Sequence, residues 1–374
     1  MPHGVLTTDV FIAGGGPAGL ATAIALRKRG LRVMVADFAR PPIDKTCGEG
    51  LMPQTVLALR DFGVTLGPVQ AVPFRGIRFI NGNDVATGEF PGNFGMGIRR
   101  TTLHQALVSR AEELGVQCLW RTRVTGICGR EILLESGKVQ CQWIVGADGQ
   151  NSQVRKWAGL DQGRPNELRF GFRQHFRLAP WTDFVEVHWG RDCQIVVTPV
   201  TPEEVCLVVT SRSPQIRLNK ALTQFPEIMT RLEGCQAVTK DLGAISALRI
   251  LRRVSRGPVA LIGDASGSVD SLTGEGLGLA FHQANALADA LGHDDLASYE
   301  VAHRRINRPS EVMSRLLLSM ENRAWLRRRV INALSWEPHL FGRLLAVHDG
   351  TFSPLDFGFS SFFRLGWRLL ANPS

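Results

Sequence analysis

The chain has 374 residues, 44% hydrophobic and 21% charged, which excludes a disordered or fibrous protein and suffices for one large core or two moderate ones. Its net charge is +9, and its seven cysteines are scattered, odd in number and free of any CxxC pair. That usage argues against a disulfide framework or structural zinc and for a reducing cytoplasm. The nine histidines form no HExxH-type cluster, so no metal is expected. No apolar run reaches the roughly eighteen residues that span a bilayer, and with the first strand placed near Asp9 no signal peptide is expected.

Residues 10–37 read VFIAGGGPAGLATAIALRKRGLRVMVAD. A strand over Val10–Ala13 meets Gly14, Gly16 and Gly19 in GxGxxG spacing, then a helix over Pro17–Arg29 and a strand over Leu31–Ala36. Gly14 permits the tight turn, Gly16 lets backbone approach a pyrophosphate, and Gly19 lets helix and strand pack. The helix start, with Pro17 and Ala18, presents unpaired N–H groups and a positive dipole end to phosphates. Asp37 stands about twenty residues on, where a carboxylate accepts ribose hydroxyls. Strand, helix and acid together predict a dinucleotide site; a glycine-rich turn that binds nothing is the bland alternative.

Next come KTCGEGLMP at residues 45–53 and RTTLHQAL from Arg100, where a helix should begin. Residues 143–155, WIVGADGQNSQVR, place a strand before Asp148 and Gly149. Val185, Val187 and Trp189 alternate with Glu186 and His188, Ile195–Val197 run into Pro199, and Val205, Leu207 and Val209 form a third run. Turn residues at 190–192 and 201–204 predict antiparallel hairpins. Residues 259–290, VALIGDASGSVDSLTGEGLGLAFHQANALADA, repeat the strand-to-turn pattern at Asp264 and open a Gly-rich helix. From Arg304 on, eleven arginines stand against five acidic residues. Met313, Leu316, Leu317 and Met320 keep helical spacing, and Trp325, Trp336, Phe362, Phe363 and Trp367 add aromatics. Such a region reads either as a helical cap on the dinucleotide domain or as a peripheral contact with an anionic membrane surface. No nucleic-acid module is visible.

The N-terminal GxGxxG, the central Asp148-Gly149 and the late Gly263-Asp264 before a Gly-rich helix occur in the order of one superfamily. Over roughly residues 8–305 the chain resembles the FAD-dependent monooxygenases and geranylgeranyl reductases, whose fold is that of p-hydroxybenzoate hydroxylase. The resemblance implies an α/β fold: a Rossmann-like FAD-binding domain, a second antiparallel-sheet substrate domain and a C-terminal helical segment. The expected boundaries are 1–75, 97–165 and 255–305 for the FAD domain, 76–96 and 166–254 for the sheet domain, and 306–374 for the helical region. It implies FAD on Gly14, Gly16, Pro17, Ala18, Gly19, Asp37, Arg100, Asp148, Asp264, Gly274, Gly276, Leu277 and Gly278. Arg99 is a weaker substitute for Arg100. Asp264 would accept a ribityl hydroxyl, and backbone N–H groups at 274–278 would stabilise negative charge on the flavin edge. Asp148 has a fold-supporting turn as its alternative. Cys47 matches a cysteine beside the ring in the reductases and, with Gly276, is the catalytic candidate; a small buried hydrophobe is the alternative. Phe170, Phe172, His175, Trp189 and Ile195 are either pocket walls or ordinary core.

Two enzyme readings follow. In the favoured one, NADH or NADPH reduces FAD, O2 adds to give a flavin C4a-hydroperoxide, and a lipophilic small molecule is hydroxylated. In the other, hydride passes to a prenyl double bond. The reductases' YxWxFP strand is matched here by CQIVVTP at 193–199, and the halogenases' WxWxIP strand is absent. A single GxGxxG implies that the nicotinamide donor binds transiently. A flavin-binding module without turnover is a remote third reading. The expected location is the cytoplasm, with peripheral contact at the inner membrane surface.

Overall fold

The computed structural model describes residues 6–162 and 166–353, with Gly366 beyond them. Phe362, Phe363 and Trp367 lie outside the described residues. The apolar runs that begin the glycine motifs form one sheet. Its central path runs Ser255–Arg256, Val259–Leu261, Gly137–Gly146, Leu6–Ala13, Val33–Asp37, Gln117–Trp120. The last five of these are parallel neighbours. The central runs at residues 10–13, 33–36, 144–146 and 259–261 are buried on both faces, as a helix-covered parallel sheet requires. Register puts Ala13 beside Gly146 and Gly146 beside Leu261. The three Gly/Asp turns therefore leave the sheet side by side, at the carboxyl ends where α/β sheets bind ligands.

Helices Pro17–Arg27, Arg100–Glu113 and Gly276–Gly292 begin next to those turns and share the main core with the sheet. Leu20, Ile24, Phe281 and Leu287 are fully buried there. Strand Leu6–Ala13 starts earlier than expected and strand Val33–Asp37 two residues later, ordinary end effects.

The second sheet runs Leu242–Leu248, Asn166–Arg177, Glu204–Ser211, Cys193–Thr201, Phe184–Trp189, Gly76–Asn81, Asp84–Glu89. The hairpins expected at 190–192 and 201–204 are present, the second with its loop narrowed to 202–203. All pairings are antiparallel except Phe184–Trp189 with Gly76–Asn81. A small sheet of Gly50–Leu51, Gly95–Ile98 and Ala71–Phe74 joins the two.

The two faces of the second sheet differ. Val185, Val187 and Trp189 pack with Leu317, Met320, Ile331, Leu334 and Phe341. The helices Leu296–Asn322, Ala324–Trp336 and Pro338–His348 thus cover this sheet, and only the start of the first lies along Gly276–Gly292. A cap on the dinucleotide domain alone is not what forms. Leu316 is 41% exposed. Phe170, Phe172 and Ile195 point the other way, into a cluster with Ile216, Leu218 and Phe225. They are outer core, not wall. Strand side chains alternate, so the inner positions of the same strands belong to Arg169, Arg173, His175, Gln194 and Thr210. Among the described residues no helix is long and apolar enough to cross a membrane.

The small sheet meets the large one with no space for a methyl group. A Cβ on Gly97 would lie 1.6 Å from the Pro199 carbonyl oxygen. Gly97→Ala is expected to lower unfolding free energy by about 1–3 kcal/mol, read by urea denaturation, because backbone must move.

Candidate functional site

Gly14 has φ +112, and a Cβ there would lie 2.3 Å from the Ala147 oxygen. A Cβ on Gly19 would lie 1.9 Å from the Gly14 oxygen. These two positions admit only glycine, and they press the first helix onto the strand ends. Gly16 differs: a Cβ there would touch nothing within 4 Å, so its backbone is approachable from outside. Pro17 is the first helical residue, where its missing N–H costs nothing.

Asp37 is tied to this turn. Its Oδ2 accepts from Gly15 N at 2.8 Å and its Oδ1 from Ala39 N at 2.8 Å. His104, on the helix from Arg100, donates from Nε2 to the Gly15 oxygen at 2.8 Å. Burial pushes His104 below its ordinary value, outweighing that carbonyl, so the ring is neutral there. Arg100 N donates to Glu49 Oε1 at 2.9 Å, while Arg100 Nε is buried without a partner. Arg99 instead pairs with Glu204 at 2.6 Å.

The central motif is mostly self-contained. Asp148 accepts from Ser152 Oγ, from Gln153 N at 2.7 Å and from Val154 N at 3.1 Å, capping the helix Gln153–Trp157. Arg155 is buried and donates to Ala265 O at 3.0 Å and Gln150 O at 2.8 Å, stapling this turn to the late one. These contacts are what a fold-supporting turn needs.

In the late motif, Asp264 Oδ2 pairs with Lys45 Nζ at 2.8 Å. Gly274 is left-handed at φ +70, and a Cβ on Gly274 or Gly276 would meet nothing within 4 Å. Leu277 follows in the first turn of Gly276–Gly292. Gly278 differs: its Cβ would lie 2.5 Å from Thr55 Oγ1, so glycine there serves helix packing.

Between the sheets sits a buried junction that sequence reasoning missed. Glu49, at φ +60, is 2% exposed. Its Oε1 takes Arg100 N and Arg173 Nη1 at 3.1 Å; its Oε2 takes His175 Nε2 at 2.6 Å. Arg173 also grips Asp44 through two bonds of 2.8 and 2.7 Å. His175 Nδ1 meets Thr239 Oγ1 at 3.0 Å. Cys47 lies two residues from Glu49, and its Sγ accepts from Glu49 N at 3.4 Å. Glu49, His175 and Cys206 bring ligand atoms within 4.8 Å of one another. Arg173 already neutralises that carboxylate, and burial pushes the Cys206 thiol well up, so the set suits an ion pair rather than a metal. The available signal was the alternation in RFGFRQHF, where Arg169, Arg173 and His175 share one face.

The open glycine backbones, the two helix starts and the unpartnered Arg100 Nε fit a large anionic dinucleotide. The FAD binding domain family matches residues 7–294. The chain belongs to that family. It is an FAD-dependent oxidoreductase. Menaquinone reductase from Mycobacterium tuberculosis is 26% identical over 325 residues, covering 78% of this chain and 78% of the relative. 12-dehydrotetracycline 5-monooxygenase/anhydrotetracycline 6-monooxygenase from Streptomyces rimosus is 26% identical, covering 76% of this chain and 62% of its own length. In fold, a flavoprotein/dehydrogenase from Cytophaga hutchinsonii superposes with a TM-score of 0.82 at 17% identity, over 98% of each chain.

Removing one partner of a buried charge pair costs about 3–5 kcal/mol. Glu49→Ala leaves His175 Nε2 and the inner side of Arg173 without their partner, so a loss of that size is expected in urea unfolding, with Glu49→Gln less severe.

Proposed function

We propose that this FAD enzyme is a monooxygenase that takes electrons from NADH or NADPH and hydroxylates a lipophilic small molecule with O2. Bound FAD would supply two-electron and oxygen chemistry; the chain supplies the seat. Gly16 backbone and the helix start at Pro17–Ala18 would receive the pyrophosphate. Asp37 has free lone pairs beyond its two backbone bonds for ribose hydroxyls. Arg100 and Lys45 would meet phosphate or ribityl oxygens, and Asp264 a ribityl hydroxyl. Backbone N–H groups at Gly274–Leu277 would face developing negative charge. Asp148, spent on its own turn, would act by holding the loop rather than by contact.

The observation that carries oxygenation over prenyl reduction is the strand Cys193–Thr201. Its inner positions are Gln194, Val196 and Thr198, not aromatics. The second reading, reduction of a double bond, is favoured by Cys47 in KTCGEGLMP and by the likeness to menaquinone reductase. A quinone or polyketide aromatic is the substrate class consistent with both relatives' names.

Turnover of quinones, aromatic polyketides and prenylated compounds under isotopically labelled O2 separates these. The expected product carries one labelled oxygen and consumes one nicotinamide donor. A product that gains two hydrogens and no label contradicts the proposal and establishes the reductase. Cys47→Ala is expected to keep oxygen insertion.

The basic helices would also approach an anionic membrane. Trp325 and Trp336 are 57% and 66% exposed, and Arg328 is exposed beside them. Co-sedimentation with anionic but not neutral liposomes, weakened by Trp325→Ala, is the expected result; protein that stays in solution contradicts it.

A further inference from the structure

Buried polar atoms almost always find partners. Just before the helix Gly276–Gly292, three do not: Glu275 Oε1, Asp349 Oδ2 and His348 Nδ1. Their residues are 4%, 5% and 7% exposed. Glu275 is the N-cap of that helix, and its Oε1 lies 4.0 Å from His348 Nε2. His348 Nε2 donates to the Thr273 oxygen at 2.9 Å, so Nδ1 of the neutral ring is a bare acceptor. Asp349 Oδ1 accepts from Thr351 N at 2.9 Å, and Gln54 donates to the same threonine's hydroxyl at 3.2 Å. The helix Pro53–Asp61 contributes the neutral Thr55.

Among the described residues no cation faces this cluster. Lys45 is committed to Asp264, and Arg169 to Asp270 and Glu321. Two buried carboxyls with no counter-charge do not both ionise. The positive helix end favours an anion, but the cofactor's own negative charge would claim those donors. Burial pushes Glu275 up to about 8, and the Asp349 charge pushes the same way. Burial raises Asp349 as well and holds His348 below its ordinary value.

We propose that Glu275 is the proton-holding residue of the flavin site, a carboxyl kept protonated by its closed setting against His348 and Asp349. This rests on the flavin reading above. The negative charge that a reduced flavin would bring to the helix start would hold the proton more tightly on Glu275, so the carboxyl would offset that charge while staying protonated. No electron passes through Glu275.

The test uses the FAD-loaded protein and the variants Glu275→Gln and Asp349→Asn. A folded value above the ordinary 4.5 means the folded state binds the extra proton. Wild-type stability should therefore fall relative to Glu275→Gln as pH rises from 4.5 to about 8, and the gap should level off above that. A gap in thermal midpoint that does not change with pH overturns the protonated carboxyl. The midpoint potential of the bound flavin should show a break near pH 8 in wild type that Glu275→Gln lacks. Asp349→Asn should move the break to lower pH, because a repelling charge is gone. An unchanged profile in Glu275→Gln overturns the coupling. If purified protein holds no FAD, the flavin reading fails, and the thermal comparison still decides the state of the carboxyl.

Discussion

A single carboxylate, Glu49, joins the two halves of this protein. It is bonded to the start of the Arg100–Glu113 helix on one side and to Arg173 and His175 of the second sheet on the other. A buried charge without such partners costs several kcal/mol, so the junction admits one arrangement. That arrangement fixes the second sheet over the carboxyl ends of the parallel strands. It also fixes residues 44–50, where Asp44, Lys45 and Cys47 run along the seam. The left-handed backbone at Glu49 costs about 1 kcal/mol and survives because three donors hold the side chain.

Asp37 and His104 do for the glycine turn what Glu49 does for the seam. Each accepts from or donates to Gly15, so the turn is braced before any phosphate arrives. Preorganised N–H groups of this kind stabilise charge without reorganising. Glu275 sits at the opposite extreme. Glu49 is surrounded by donors, whereas Glu275 has burial and an acidic neighbour, and the nearby imidazole N–H of His348 is given to the Thr273 oxygen. One site thus contains a fully compensated carboxylate and a carboxyl with no compensation, and the difference comes from which elements meet each of them.

The parallel sheet and its glycine turns were legible because each depends on a short contiguous pattern. Gly14, Gly19 and Asp37 fall where spacing put them, and the hairpins at 190–192 and 202–203 match their turn residues. The junction was not legible, since Glu49 meets Arg173 and His175 across 124 and 126 residues. Which strand face points inward was also hidden. Phe170, Phe172 and Ile195 are bulky and apolar, as a pocket wall would be, but period-two alternation sends them to the outer helices. Gly278 and Asp148 illustrate a third limit. Their residue types fit a cofactor role, and only their neighbours, Thr55 and the 152–154 turn, show the packing and capping work they perform.

The most direct measurement of the central claim is titration of FAD into deflavinated protein, followed by visible absorbance and by thermal midpoint. The account predicts one FAD per chain, a perturbed flavin band, and a stabilisation near 2.7 kcal/mol when free FAD is about a hundred times its Kd. Flavin that stays free, with no change in midpoint at saturating FAD, would contradict it.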